Sequence, residues 1–240
     1  MIPTIRVLMA MGSLQRLFPF WLIGITALIF WFSPILILAL VYGAVMQFVV
    51  EYIMHRFLYH RAPPSEQSLF NAQYRSHIGH HEFPNKPEFF TGGDNWYALK
   101  FGLISLAAHF IVLWPIVGAY WALLFPMVAI FVGSVSAFTF YEYCHTLAHL
   151  HVPKGWFGQK VTRDHMAHHF QDHHATFHVS FGMGWIDTVF GTPYDREKAR
   201  ARFDRKTILS LGMDPEDLRL VTARKAYGVS LETRSQPLGS

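Results

Sequence analysis

Two long stretches of this 240-residue chain carry almost no charge, and they restrict its fold more than any other feature. Residues 17–55 contain no lysine or arginine and one acidic residue, Glu51, while residues 101–153 contain only the acidic Glu142. Because a helix crosses a bilayer with roughly 20 apolar residues, each stretch has room for two crossings. The sequence therefore predicts four transmembrane helices.

Each stretch also contains a point where the chain can turn back. The first has Phe-Ser-Pro at residues 32–34, and the second has the sequence PIVGAY at residues 115–120. Proline is tolerated at helix ends and disrupts helix interiors. We therefore expect an all-α, polytopic membrane protein with two helical hairpins, at residues 17–54 and 97–142.

The remaining charges predict how the hairpins are oriented. All 20 basic residues lie outside the two stretches: two precede residue 17, five lie in residues 56–100 and thirteen follow residue 153. Cytoplasmic segments of membrane proteins carry the excess of lysine and arginine. Both termini and the middle segment are therefore expected in the cytosol, beneath an endoplasmic reticulum membrane or a bacterial inner membrane.

Composition excludes several classes of protein. With 15% charged and 52% apolar residues, the chain is neither a typical soluble enzyme nor a disordered protein. Given the apolar excess, its net charge of +4 favours an anionic membrane surface as a partner over nucleic acid. The one cysteine, Cys144, rules out an intrachain disulfide. The apolar stretch after Arg16 is too long for a signal peptide.

The chain is thus expected to have six segments. They are a cytosolic N-terminal segment (1–16), transmembrane hairpin 1 (17–54), a cytosolic segment with two histidine clusters (55–96), transmembrane hairpin 2 (97–142), a cytosolic histidine-rich cap (143–194) and a basic C-terminal tail (195–240). Within the tail, residues 195–206 are expected to form a solvated basic helix, and residues 231–240 show no core pattern.

The chain has 15 histidines, nearly as many as its 16 acidic residues. All but His109 lie at the inner ends of the second and fourth predicted crossings or in the cytosolic segments. His109 lies inside the third crossing, where a hydrogen bond to a neighbouring helix is the simplest expectation.

Most of these histidines form clusters with helical spacing. In HIGHH (77–81) and HMAHH (165–169), spacings of three and four place the imidazoles on one helix face. His145 and His149 are also four apart. His55 and His60 are five apart, about 140° around an ideal helix, so they share one site only if the helix ends or bends between them.

Neutral imidazole is the commonest metal ligand and suits iron, zinc, copper and nickel. Ten clustered histidines are too many for one ion, which takes about four to six ligands, and suit two. The predicted ligands of two metal ions are His55, His60, His77, His80, His81, His145, His149, His165, His168 and His169. His173 and His174 are further candidates, and the roles of His151 and His178 stay open.

Several acidic residues are candidates for supporting the predicted ligands. Glu51 precedes His55 by four residues and Glu142 precedes His145 by three, so each shares a helix face with a histidine. A carboxylate there can accept the outer N–H of a ligating imidazole, although hydrogen bonding between helices is equally compatible. Weaker candidates for the same role are Asp164, Asp172 and Asp187.

Aromatic residues are concentrated between the second cluster and the second hairpin. Phe89, Phe90, Trp96 and Tyr97 are expected to lie at the membrane interface. Either they line the entry of a lipid substrate or they form an aromatic belt.

The clusters, in this order, resemble the fatty acid hydroxylase/sterol desaturase superfamily of integral-membrane, non-haem di-iron oxygenases. EYIMHRFLYH (51–60), the following Pro-Pro-Ser, and HIGHH are most similar to the fatty acid 2-hydroxylase branch. YEYCHTLAH (141–149) resembles a Y-D-x-x-H-x-x-x-H stretch of the family, with Glu142 in place of aspartate. DHMAHHF (164–170) and the later DTVFGT (187–192) resemble its closing elements.

The resemblance implies four crossings beneath a cytosolic helical cap that holds two iron ions, which zinc can replace in a purified sample. It implies hydroxylation of a fatty acyl or sphingolipid-like C–H bond with O2. Since residues 1–16 leave no room for a cytochrome b5 domain, the electrons are expected from a separate cytochrome b5 or ferredoxin with its reductase.

Two alternatives stay open at this point. Within the superfamily, the chain could be a sterol desaturase or methyl oxidase, or a carotenoid hydroxylase. In another class, it could be a membrane metal transporter, which would need polar ligands along the middle of the bilayer.

Overall fold

The computed structural model describes residues 2–91, 96–118 and 120–232. In this part of the chain the secondary structure is helical and includes no strand, which confirms the predicted all-α class. The α-helices are α1 (Ile2–Ala10), α2 (Gly12–Phe30), α3 (Pro34–Ile53), α4 (Gln67–Gln73), α5 (Gly79–Glu82), α6 (Pro87–Phe90), α7 (Tyr97–Val117), α8 (Tyr120–His149), α9 (Trp156–Phe170), α10 (Gly184–Val189), α11 (Arg196–Arg202) and α12 (Leu218–Ala226). Residues 233–240 of the predicted tail lie outside the described residues.

Four helical segments are long and apolar enough to cross a membrane, as predicted. They are Gly12–Phe30, Pro34–Tyr59, Ala98–Ile116 and Ala122–His149. The break between α2 and α3 falls at the predicted Phe-Ser-Pro, and α7 ends before Gly118, whose φ of 69° is left-handed. Glycine adopts this conformation without steric cost, so it ends the helix.

Helices α2 and α8 extend beyond the bounds predicted for the two hairpins. Helix α2 begins at Gly12 rather than at residue 17, and α8 continues past residue 142 to His149. Backbone hydrogen bonds can continue a helix beyond its apolar residues, so the apolar pattern marks only the part suited to the bilayer. Helix α1 was not expected, because residues 1–16 were assigned only as a cytosolic segment.

The chain divides into two units. We call Met1–Val50 with Asp94–Tyr143 the membrane unit, and Glu51–Gly93 with Cys144–Ser240 the histidine unit.

In the membrane unit, α3 and α8 approach each other closely at two glycines. A Cβ atom on Gly43 would lie 2.2 Å from the carbonyl oxygen of Ile130, and one on Gly133 would lie 2.0 Å from that of Leu40. Ser134 Oγ donates a hydrogen bond of 3.0 Å to the Gly43 carbonyl. Small residues and short polar side chains of this kind let membrane helices pack backbone to backbone.

His109 forms the helix-to-helix hydrogen bond that its position in the sequence suggested. Its Nδ1 donates to the Ser105 carbonyl at 2.7 Å on α7, and its Nε2 accepts from the Tyr42 hydroxyl at 3.1 Å on α3. Because a carbonyl can only accept, Nδ1 carries the hydrogen and Nε2 the lone pair. Both nitrogens are used within the membrane unit.

The histidine unit has a hydrophobic core to which its C-terminal part contributes. The core residues are Phe70, Tyr74, Ile78, Phe83, Phe89, Met213, Leu220, Ala223 and Val229. The prediction of a basic tail over residues 195–240 was therefore wrong for residues 213–229, which hold four of these side chains. The apolar residues there are few and irregularly spaced among charges, so they give no clear amphipathic period. Helix α11, in contrast, is exposed except for Ala199.

Candidate metal centre

All ten predicted ligands lie in the histidine unit, and nine of them form two groups. In each group, one ring nitrogen from every histidine lies within 4.8 Å of the others. The first group, site A, comprises His55, His60, His77, His81 and His168. The second group, site B, comprises His80, His145, His149 and His165.

A π-helical segment brings His55 and His60 together. Helix α3 continues as a π-helix over Met54–Tyr59, and the His60 N–H donates to the His55 carbonyl at 3.1 Å. This bond between residues five apart defines the wider π turn, which occurs frequently at functional sites. The two rings lie 5.0 Å apart, so the helix widens where the sequence required it to end or bend.

The two H-x-x-H-H motifs each supply both sites. His77 and His81, four residues apart, belong to site A, whereas His80 belongs to site B. In the other motif, His168 belongs to site A and His165 to site B. With spacings of three and four, each motif thus supplies ligands to both sites.

His169, the tenth predicted ligand, lies next to both sites. Its Nε2 is 3.1 Å from Nε2 of His165 in site B. Its ring stacks on that of His81 in site A, with ring centroids 4.1 Å apart. The structure therefore brings all ten predicted ligands into one cluster.

Within site A, the separations between ring nitrogens fit ligands of one metal ion. His60 Nε2 lies 2.9 Å from Nε2 of His77 and 3.1 Å from that of His168. Two nitrogens held about 2.0–2.1 Å from an ion, at right angles to each other, are about 3 Å apart. An imidazole nitrogen carries either one hydrogen or one lone pair, so it can form one ordinary hydrogen bond. His60 Nε2 has two nitrogen neighbours at this distance, which a shared metal ion explains better.

Site B repeats this arrangement. His149 Nε2 lies 2.9 Å from His165 Nε2, which has His169 as its second neighbour. His145 Nε2 lies 3.2 Å from His80 Nε2. The residues present at both sites therefore fit a pair of metal ions.

Burial keeps these imidazoles in the neutral form that binds metals. Desolvation, reinforced by repulsion between neighbouring imidazoles, lowers the pKa well below the usual value for seven histidines outside the membrane-spanning segments. They are His60, His77, His80, His81, His165, His168 and His169. A neutral ring offers one lone pair to a metal without first losing a proton.

Backbone carbonyls determine the tautomers of two ligands in site A. His55 Nδ1 donates to the Phe177 carbonyl at 2.5 Å, and His168 Nδ1 donates to the Ala175 carbonyl at 2.7 Å. The lone pair of each ring is therefore on Nε2. His55 Nε2 is buried and has no hydrogen-bond partner among the described residues, as expected of a metal-binding atom.

Glu51 supports the segment that supplies these carbonyls. Its carboxylate accepts hydrogen bonds from the Val179 N–H at 2.8 Å, the Ser180 N–H at 3.3 Å and the Ser180 hydroxyl at 2.9 Å. The expectation that Glu51 accepts directly from His55 was wrong, since the His55 N–H is taken by the Phe177 carbonyl. Glu51 acts on the site through the backbone that it holds.

Asp187 holds the same segment from its other side. It accepts hydrogen bonds from the Phe177 N–H at 2.8 Å, the His178 N–H at 3.2 Å and the Thr192 hydroxyl at 2.8 Å. His178 Nδ1 also contacts this carboxylate. Asp187 was a weaker candidate for accepting a hydrogen bond from a ligand, and in the structure it holds the backbone beside the ligands instead. The role of the carbonyls was missed, because a backbone carbonyl has no sequence signature.

The remaining acidic candidates behave differently. Asp172 accepts a hydrogen bond from the His174 N–H at 3.0 Å and pairs with Arg202 at 3.3 Å. Asp164 forms an ion pair of 2.7 Å with Lys160 at the surface, so the expectation that it contacts a ligand was wrong. Its position in the sequence beside His165 did not show that its side chain points to solvent. Glu142 is buried in α8, one turn before His145, and its contact with a ligand stays a prediction.

His173 and His174 lie outside both groups. The rings of His173 and His60 stack with centroids 6.2 Å apart, and the ring of His174 is 4.1 Å from that of His173. Burial and the neighbouring His174 lower the pKa of His173 to about 4. His151 is exposed.

Among the aromatic candidates whose side chains are described, Phe90 contacts the site. Phe90 stacks on His149 with ring centroids 5.2 Å apart. Phe89 belongs to the hydrophobic core of the histidine unit, so its assignment to a substrate path was wrong. Trp96 lies under the guanidinium of Arg16 at 3.9 Å in the membrane unit, and the side chain of Tyr97 lies outside the described residues.

The part of the chain that contains these histidines is also the part that matches known proteins. The sequence model described as Fatty acid hydroxylase matches residues 39–192. Among curated relatives, the chain is 26% identical to ceramide very long chain fatty acid hydroxylase SCS7 of Saccharomyces cerevisiae, over 62% of this chain and 36% of the relative. It is 25% identical to human fatty acid 2-hydroxylase, over 58% of this chain and 35% of the relative.

The fold is also similar to a solved structure. Full-length scs7p, of which only the hydroxylase domain is visible, matches with a TM-score of 0.54 and 22% identity. The match covers 75% of this chain and 64% of that one. The chain thus spans about a third of the length of the curated relatives and most of the visible hydroxylase domain.

Proposed function

Since the chain belongs to the fatty acid hydroxylase family, we propose that it is a membrane di-iron oxygenase that hydroxylates a C–H bond of a lipid. The observation that carries the proposal is the pair of buried imidazole groups, sites A and B. The names of the relatives, fatty acid 2-hydroxylase and ceramide very long chain fatty acid hydroxylase, favour a fatty acyl or sphingolipid-like substrate.

Each site would hold one ion. The five histidines of site A would bind one iron, and the four of site B, completed by His169, would bind the other. Zinc, which imidazole also binds well, can occupy the same ligands in purified protein. When bound, the metal pair supplies the activation of O2 that an unactivated C–H bond requires.

The protein's own contribution is to hold these ligands neutral, oriented and dry. Burial removes water from the rings, and the carbonyls of Ala175 and Phe177 fix two of them in the tautomer that presents Nε2. The carboxylates of Glu51 and Asp187 hold that carbonyl-bearing segment. No acid, base or nucleophile of the protein needs to react with the substrate.

The lipid would reach the site from the bilayer, with Phe90, stacked on His149, beside the reacting carbon. Electrons would come from a separate cytochrome b5 or ferredoxin with its reductase. The distribution of basic residues favours an active site on the cytosolic face, in an endoplasmic reticulum or bacterial inner membrane.

Lipid analysis tests this function. The chain is expressed in a lipid-rich host with a competent reductase system, and extracted lipids are compared by untargeted mass spectrometry. We expect new species heavier by one oxygen with the wild type and with His151→Ala, whose side chain is exposed. His80→Ala should abolish them, because it removes a ligand of site B.

Two results would contradict the proposal. Species lighter by two hydrogens would identify a desaturase of the same superfamily instead. Wild-type protein that contains two tightly bound metal ions per chain and changes no lipid in the presence of O2 and reductant would exclude a lipid oxygenase.

A further inference from the structure

A buried ion pair joins helix α12 to the helix that carries two of the candidate metal ligands. Arg224 donates from Nη2 to Glu82 Oε1 at 2.6 Å and from Nε to Glu82 Oε2 at 2.9 Å. The side chains are 7% and 0% exposed, respectively. The Tyr74 hydroxyl also donates to Glu82 Oε2 at 3.0 Å. Such a two-pronged pairing fixes orientation as well as distance.

The position of Glu82 gives this pair its importance. Glu82 is the last residue of α5 and directly follows His80 and His81. His81 belongs to site A and His80 to site B. A small rotation of α5 would therefore displace one ligand from each site.

Helix α5 is the last turn of a continuous helix that begins as α4 and widens as a π-helix over Tyr74–Ile78. The last turn of a helix has carbonyl groups without partners inside the helix. Contacts with other elements therefore help to hold its orientation. Arg224 provides a directional one, and it lies beyond residue 192, where the family match ends.

The ion pair itself rests on the core of the histidine unit. Leu220 and Ala223, on the same helix as Arg224, pack into that core with Tyr74 and Ile78. A further hydrogen bond of 2.7 Å from Arg224 Nη1 to the Pro215 carbonyl fixes the guanidinium on its other side. These contacts hold the arginine in position independently of its ion pair with Glu82.

We propose that Arg224 is a positioning residue for the metal centre: its ion pair with Glu82 orients α5 so that His80 and His81 reach their two sites. This inference rests on the metal centre of the proposed function and assigns a role to the C-terminal segment. Arg224 touches no ligand and acts only through Glu82.

Metal retention in the full chain tests the inference. Arg224→Met and Arg224→Lys are purified in detergent alongside the wild type and Lys225→Met, which removes an exposed cation from the next position of α12. Release of bound metal to a chromogenic chelator is timed, and the visible spectrum of the Co²⁺-loaded proteins is recorded.

We expect Arg224→Met to release metal about 10- to 100-fold faster than the wild type, because removing groups that orient metal ligands typically weakens metal affinity by this range. Arg224→Lys should lie between them, because lysine keeps the charge and loses the two-pronged geometry. The Co²⁺ bands should shift in both variants and stay unchanged in Lys225→Met. If Arg224→Met does not fold, Arg224→Lys decides the test.

Other results would contradict the inference. Folded Arg224 variants that melt at a lower temperature, with wild-type metal release and Co²⁺ spectra, would show that the pair only stabilises the fold. Wild-type protein that binds no metal would overturn both this inference and the proposed function. Two-metal binding by the wild type, with wild-type release rates and Co²⁺ spectra in all variants, would overturn this inference alone.

Discussion

Single hydrogen bonds to backbone carbonyls decide which nitrogen two of the histidines present to the site. His55 and His168 each donate from Nδ1, to Phe177 and Ala175 respectively. The opposite tautomer would put a hydrogen on Nε2, where a ligand needs its lone pair. The segment that carries these carbonyls therefore contributes to the site as directly as the imidazoles do.

Glu51→Ala should destabilise this segment. The substitution leaves the N–H groups of Val179 and Ser180 without their buried acceptor, and one unsatisfied buried group lowers the free energy of unfolding by about 1–3 kcal/mol. We expect a lower melting temperature. It can be followed by the reaction of the one cysteine, the buried Cys144, with a thiol-reactive dye on heating.

Two further variants make this measurement specific. Glu88→Ala removes a carboxylate from an exposed position and should leave the melting temperature unchanged. Glu51→Gln keeps one acceptor oxygen and should recover part of the loss. Equal melting temperatures for Glu51→Ala and the wild type would show that the segment is held without this carboxylate.

For single residues, the sequence predicted which side chains belong to the site better than it predicted their hydrogen-bond partners. The ten histidines could be selected because imidazoles at spacings of three and four share a helix face. The partners of Glu51 could not, because they are backbone groups at Val179 and Ser180, more than a hundred residues away in the chain. Only the folded path of residues 175–180 brings those groups to it.

Among the helices, small departures from ideal geometry have the largest effects. The π-helix at Met54–Tyr59 brings together His55 and His60, which an ideal α-helix would separate by about 140°. A second π-helix, at Tyr74–Ile78, directly precedes α5. Periodicity of 3.6 residues predicted the helices, but it could not predict where the helix widens.

Close packing of α3 against α8 yields a prediction about glycine. Gly133→Leu should strongly destabilise the membrane unit, because its Cβ would lie 2.0 Å from the Leu40 carbonyl oxygen, which belongs to rigid backbone. Overpacking of this kind lowers the free energy of unfolding by about 1–3 kcal/mol, and sometimes by more. We expect a lower melting temperature and a smaller yield of monodisperse protein in detergent.

Gly102→Leu on α7 is the matched control, because a Cβ at that glycine would meet no atom within 4 Å. It should purify and melt like the wild type. Equal behaviour of the two leucine variants would mean that α3 and α8 do not approach each other as closely as described.

In the molecule as a whole, the candidate ligands come from widely separated parts of the chain. They extend from His55 to His169, and the histidine unit is made of two stretches, Glu51–Gly93 and Cys144–Ser240. These ten imidazoles, nine of them buried, can therefore meet only after those stretches have folded together. A metal that binds this arrangement and not the unfolded chain stabilises the fold.

Orientation in the membrane is predicted by charge over the whole molecule, and accessibility of single cysteines can test it. In a Cys144→Ala background, Ser33→Cys places a thiol in the turn between α2 and α3, and Lys225→Cys places one on exposed α12. Because the basic residues are expected on the cytosolic side together with α12, an impermeant maleimide should label Ser33→Cys in intact cells. Lys225→Cys should react only after the membrane is opened. The reverse labelling would put the histidines on the outer face, where a cytosolic electron donor could not reach them.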